Sequence, residues 1–77
     1  MQVYPNPTHD VFNVTFSTQV SNATITLQDA TGKIIQQKAA NDNQVAFDVA
    51  TLAPGNYFII YDNLKSKQKL IRKLLKQ

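Results

Sequence analysis

The sequence predicts an all-β fold, a small immunoglobulin-like or fibronectin-III-like antiparallel β-sandwich of about seven strands. Three observations carry this. The first is the run Leu52-Ala53-Pro54-Gly55-Asn56-Tyr57-Phe58-Ile59-Ile60-Tyr61, in which a Leu, a Pro-Gly pair and a Tyr lead into an apolar stretch. That order suits a tyrosine corner, where a Tyr at the start of a late strand sends its hydroxyl back to backbone a few residues upstream. The second is a series of short segments in which apolar and polar residues alternate, the period of a half-buried strand. The third is punctuation of those segments by Pro, Gly, Asn and Asp at strand-length intervals.

Taken in order, Gln2 to Tyr4 reads as a short extended segment. Pro5-Asn6-Pro7 follows as a turn, because two amide donors are missing and each Pro biases its predecessor toward extended geometry. Val11 to Phe16 is the second strand, with Phe12, Val14 and Phe16 on one face. Ser17 to Asn22 is a polar connection. Ala23 to Gln28 is the third strand, with Ala23, Ile25 and Leu27 facing one way. Asp29 to Lys33 reads as a hairpin turn with Gly32 at the left-handed position.

Ile34 to Lys38 is the fourth strand, and Ala39 to Asn43 a loop built on Asn-Asp-Asn. Gln44 to Val49 is the fifth, with Val45, Phe47 and Val49 on one face. The corner spans Ala50 to Asn56, with Leu52, Pro54, Gly55 and Tyr57 as its structural residues. Pro54 presets the turn and Gly55 permits a positive φ. Tyr57 to Tyr61 is apolar throughout, which places it centrally in its sheet. Asp62-Asn63 begins the last turn. In the final segment Leu70, Ile71, Leu74 and Leu75 fit helical spacing, yet Leu70-Arg72-Leu74 and Ile71-Lys73-Leu75 also alternate. A strand over Lys67 to Lys73 is expected, hairpin-paired to the strand before it, with the last four residues frayed or in a helical turn.

The 77 residues are expected to form one domain, 1–77. The chain enters a strand almost at once, the expectation for a domain taken from a larger secreted protein. It contains no Cys, so neither a disulfide nor a thiolate is available. It has no apolar run near the roughly 20 residues of a membrane-spanning helix, and direct membrane insertion is not expected. The net charge of +3 conceals a split. Residues 1–64 hold two lysines against five aspartates, whereas residues 65–77 hold Lys65, Lys67, Lys69, Arg72, Lys73 and Lys76 and no acid. The body is mildly acidic and the tail basic.

No catalytic constellation is legible, so an enzyme is not expected. His9 is the single His, and its neighbour Asp10 cannot orient it against a partnered nucleophile. One His with scattered aspartates makes no metal set, and no cofactor is implied. Thr31-Gly32-Lys33 lacks the remainder of a phosphate loop and reads as the hairpin turn. Asn13-Val14-Thr15 and Asn22-Ala23-Thr24 match the short glycosylation pattern by chance. The basic tail has no aromatic residue for base stacking, which argues against nucleic acid. Lysines also guard an exposed edge strand against aggregation. That role does not explain why positive charge crowds at one end, whereas an acidic partner would.

With these elements placed, the chain resembles the C-terminal sorting domain, type A, of proteins exported by the type IX secretion system of Bacteroidota. The resemblance runs through Val3-Tyr4-Pro5-Asn6-Pro7, then Ile25 to Ile35 with its Gly turn, then Phe47 to Ile59 with Leu52, Gly55 and Tyr57, then Lys67 to Lys73. It departs at Asp62-Asn63-Leu64-Lys65-Ser66, where similar chains often carry a Gly or Asn-Gly turn. The resemblance implies a non-catalytic secretion signal that follows an N-terminal cargo domain. It implies docking on the outer-membrane translocon and its shuttle proteins, and then removal by the sorting peptidase. Localisation would be the periplasm in transit, then the cell surface or the medium. The expected recognised surface is Pro5, Asn6 and Pro7 with Lys69, Leu70, Ile71, Arg72 and Lys73. The alternative reading is a fibronectin-III-like accessory module that binds carbohydrate or protein within a secreted enzyme.

Overall fold

The computed structural model describes residues 1–77 and contains seven strands and no helix. They are β1 (Gln2–Tyr4), β2 (Val11–Thr15), β3 (Ala23–Asp29), β4 (Ile34–Ala40), β5 (Gln44–Asp48), β6 (Gly55–Asn63) and β7 (Gln68–Lys76). All named strand pairs are antiparallel. A three-stranded sheet runs β1-β2-β5 and a four-stranded sheet runs β4-β3-β6-β7. The chain crosses between sheets after β2, β4 and β5. This is an immunoglobulin-like sandwich, as the alternation and the corner run predict.

The core lies between the inner faces. Phe12 and Val14 of β2, Ala23, Ile25 and Leu27 of β3, Phe47 of β5 and Tyr57, Ile59 and Tyr61 of β6 are all buried. Period-two alternation placed most of these on the inner side, because successive side chains of a strand point to opposite faces. Phe12 and Phe47 are direct cross-strand partners, and their rings stack at 5.0 Å between centroids and 6° between planes. Phe16 and Tyr61 join the two sheets at 5.2 Å, tilted by 48°. β6 sits between β3 and β7, with Tyr57, Ile59 and Tyr61 of its apolar run buried and Phe58 and Ile60 half-buried on the outer face.

Three strand ends lie well beyond the sequence expectation. β4 continues through Ala40, where a loop was expected from Ala39. Ala39 and Ala40 pair with Thr24 and Ala23, and Ala40 is fully buried, so small side chains extend the ladder where propensity is weak. β6 extends through Asp62 and Asn63, and the turn occupies 64–67. The Asn63 side-chain oxygen accepts from the Lys65 and Ser66 amides at 3.0 Å each, which closes that turn. Lys67 takes a φ of 59° there, a conformation in which a Gly would be unstrained. The last four residues neither fray nor coil, since β7 runs to Lys76. Leu74 is fully buried, and the N-terminal segment holds the far side of the strand.

The Asp29–Lys33 hairpin forms as expected. Gly32 has a φ of 92°. The Asp29 carboxylate accepts from the Thr31 hydroxyl at 2.6 Å, the Thr31 amide at 2.9 Å and the Lys33 amide at 3.0 Å. These donors, the Thr31 hydroxyl foremost, hold its pKa below the ordinary 3.8.

Candidate functional site

The Pro5-Asn6-Pro7 turn and the last strand meet in space. The Asn6 side-chain amide donates to the Lys73 carbonyl at 2.9 Å, and its oxygen accepts from the Leu75 amide at 3.0 Å. One primary amide thus makes both bonds that a neighbouring strand residue would make. The next residues continue the pattern with real backbone. The Thr8 amide donates to the Leu75 carbonyl at 2.9 Å, and the Gln77 amide donates to the Thr8 carbonyl at 2.8 Å, forming a parallel bridge between Thr8 and Lys76. Residues 6 to 8 therefore act as a short surrogate strand along the outer edge of β7.

Thr8 is the residue that sequence reading missed. It is fully buried, and its hydroxyl donates to the Val11 carbonyl at 2.9 Å. A single Thr in a Pro-rich turn carries no pattern that distinguishes it from a surface residue. Pro5 and Pro7 flank the clamp and are exposed, and both X-Pro bonds are cis.

The basic segment divides in two. Lys65, Lys67, Lys69, Arg72 and Lys73 are exposed. Lys76 is not, being only 6% exposed with its amine on the Gln77 carbonyl at 3.0 Å, so it contributes little to the accessible positive surface. In β7, Lys69, Ile71, Lys73 and Leu75 share the outer face, and Leu70, Arg72, Leu74 and Lys76 the inner one. Leu74 stands opposite Tyr57 in the core, whereas Arg72, opposite Ile59, remains exposed. On the outer face Ile71 lies directly across from Ile60 and is 53% exposed. Asp62, opposite Lys69, is the one carboxylate on this strand pair. The result is a positively charged surface with an apolar centre, and its long axis follows β7.

The corner residues support this surface from behind. The Tyr57 hydroxyl donates to the Ala53 carbonyl at 2.6 Å, four residues upstream. Leu52 is half-buried against the core, and its amide donates to the Val49 carbonyl at 3.0 Å. Pro54 is exposed, and Gly55 opens β6 with a φ of 150°. Tyr57 pairs with Leu74 across the ladder, so the corner fixes the strand on which β7 is laid.

His9 and Asp10 are exposed and are not brought to any acidic or nucleophilic partner. The Asp10 carbonyl accepts from the Val49 amide at 2.7 Å, which ties the turn to the end of β5. No group of three His, Cys, Asp or Glu residues converges anywhere in the fold. No helix is long and apolar enough to cross a membrane.

Comparison with known proteins agrees with this architecture. No curated protein matches the chain. Among solved structures, one similar chain is PorZ of Porphyromonas gingivalis, described as an essential bacterial surface component of the type-IX secretion system. The superposition has a TM-score of 0.85 at 19% identity and covers 99% of this chain but 11% of that one. At that identity the likeness shows a shared sandwich fold. The family model for the secretion system C-terminal sorting domain matches residues 2–77, from the first strand through the Asn6 clamp and the corner to the end of the basic strand. The chain belongs to that family, the sorting domains of type IX secretion.

Proposed function

We propose that this domain is the address on an exported cargo, read by the outer-membrane translocon and its shuttle proteins and then separated from the cargo by the sorting peptidase. The domain performs no chemistry of its own in this reading. It passes through the periplasm folded, and its cargo ends at the cell surface or in the medium. The reading surface comprises Pro5, Asn6 and Pro7 with Lys69, Leu70, Ile71, Arg72 and Lys73. The observation that supports it most is the Asn6 clamp, which joins the two motifs into one continuous face. A turn and a strand 67 positions apart would otherwise have no reason to be recognised together. The exposed cations of that face carry no catalytic arrangement and suit a negatively charged docking partner.

The test is a reporter carrying a signal peptide, fused ahead of residues 1–77 and expressed in a host with a type IX system. The expected product is reporter at the surface or in the medium, lacking the domain by intact mass. In a translocon-deficient strain the fusion should remain in the periplasm with the domain attached. Equal export of a reporter without residues 1–77 would overturn the proposal.

A further inference from the structure

The clamp covers only part of the edge of β7. The Lys73 carbonyl, both backbone groups of Leu75 and the Gln77 amide all point toward residues 6 to 8. By strand parity the odd-numbered residues of β7 therefore present their backbone away from β6. The amides of Lys69, Ile71 and Lys73 lie on the same outward side, beyond the reach of the surrogate strand. The Ile71 carbonyl there accepts from the Arg72 guanidinium at 3.0 Å, an exposed side-chain bond that an incoming strand must displace, whereas the three amides have no such partner. The other edges are guarded. On β5, the Gln36 side chain caps the Asp48 carbonyl at 2.8 Å and Lys38 caps the Ala46 carbonyl at 2.6 Å. β1 has three residues. β4 carries glutamines at its centre, and its ladder to β3 shifts register at Leu27/Gln28, a feature that blunts edge pairing.

We propose that the open half of this edge, Lys69 to Lys73, takes an extended acidic segment of a partner protein as an added strand. This rests on the address reading and specifies how the address is read. Exposed sheet edges accept peptide strands through main-chain bonds, and the flanking side chains set specificity. Here an incoming strand would lie beside Lys69, Ile71 and Lys73 on one face and beside Leu70 and Arg72 on the other. That surface calls for carboxylates at its ends and an apolar residue at its centre. A second copy of β7 would set lysine against lysine, so charge selects an acidic strand over self-pairing. Residues 6 to 8 block further extension toward Lys76 and so fix where the partner strand must stop.

The probe is a blocked peptide, Thr-Glu-Val-Val-Val-Glu-Thr, whose palindrome presents the same side chains in either direction. On saturation at low salt, amide exchange of Lys69, Ile71 and Lys73 should slow by about tenfold, with β4 amides unchanged. The same peptide with its three valine nitrogens methylated keeps the charge but cannot pair, and it should bind at least about tenfold more weakly. Ile71→Pro removes an outward donor while leaving the bonds to β6, a site where an edge strand tolerates Pro, and should abolish the protection. If that variant melts early, Lys69→Glu/Lys73→Glu serves instead, since it leaves the backbone untouched and should also lose the peptide. Equal binding of the methylated peptide, protection on β4 in place of β7, or no protection up to about 5 mM would each overturn strand addition. Export separates the two proposals. Normal export of a fusion carrying a folded Ile71→Pro domain refutes strand addition and leaves the address intact, because only loss of dependence on residues 1–77 refutes the address.

Discussion

Replacing Tyr57 by Phe deletes one oxygen and leaves the ring in place. The hydroxyl lost is the one bonded to the Ala53 carbonyl at 2.6 Å, and Tyr57 is 7% exposed. A net hydrogen bond of this kind contributes about 0.5–1.5 kcal/mol. Two effects set where the value falls. Ala53 is exposed, so water can reach its carbonyl when the phenol is gone, which lowers the loss. Against this, the corner is closed by this bond and by the Leu52–Val49 backbone bond, so releasing it also frees the chain between β5 and β6. A loss of about 1 kcal/mol is expected, equivalent to about 4–8 °C in melting temperature for a domain of this size. Urea denaturation of wild type and Tyr57→Phe, with equal slopes, reads it directly. A change below about 0.3 kcal/mol would mean that the corner bond is incidental to stability.

Other substitutions probe separate parts of the structure. Leu74→Ala empties a fully buried site opposite Tyr57 and should cost about 2–5 kcal/mol by denaturation, whereas Leu75→Ala on the outer face should cost much less. Asn6→Ala breaks both clamp bonds at an exposed site; the expected loss is about 1 kcal/mol, with faster exchange of the Leu75 amide and no change at Ile59. The depressed Asp29 pKa means that its turn bonds contribute fully above the unfolded value of 3.8 and fade as pH falls through the lower folded value. An NMR titration should find the Asp29 midpoint below 3.8, and Thr31→Val should raise it by removing the largest cause.

Elements whose local pattern matches their tertiary role were legible in the sequence. β2, β3 and β5 were legible because every second residue turns a large apolar side chain to the core, and their inner residues Phe12, Ile25 and Phe47 are all fully buried. β6 was legible as central because both its faces are covered or half-covered. The extra length of β4 was not, because Ala39 and Ala40 have weak strand propensity and are held by their partners on β3. The end of β7 was ambiguous for a related reason. Leu74 faces the core and Leu75 the outer surface, which gives adjacent leucines the spacing of a helix. Register against β6 and the bridge to Thr8 decide the matter, and both are long-range. The clamp itself could not be read from the chain, because an Asn between two prolines has the composition of a turn. Its acceptor and donor lie at the opposite end of the sequence.

The most direct experiment reverses the exposed charge of the last strand and measures export. A reporter fused ahead of residues 1–77 carrying Lys69→Glu, Arg72→Glu and Lys73→Glu should fall to the level of a reporter without the domain. The isolated variant should melt within a few degrees of wild type, because these side chains are exposed. Wild-type export by the folded triple variant would show that the basic face is not what the secretion machinery reads.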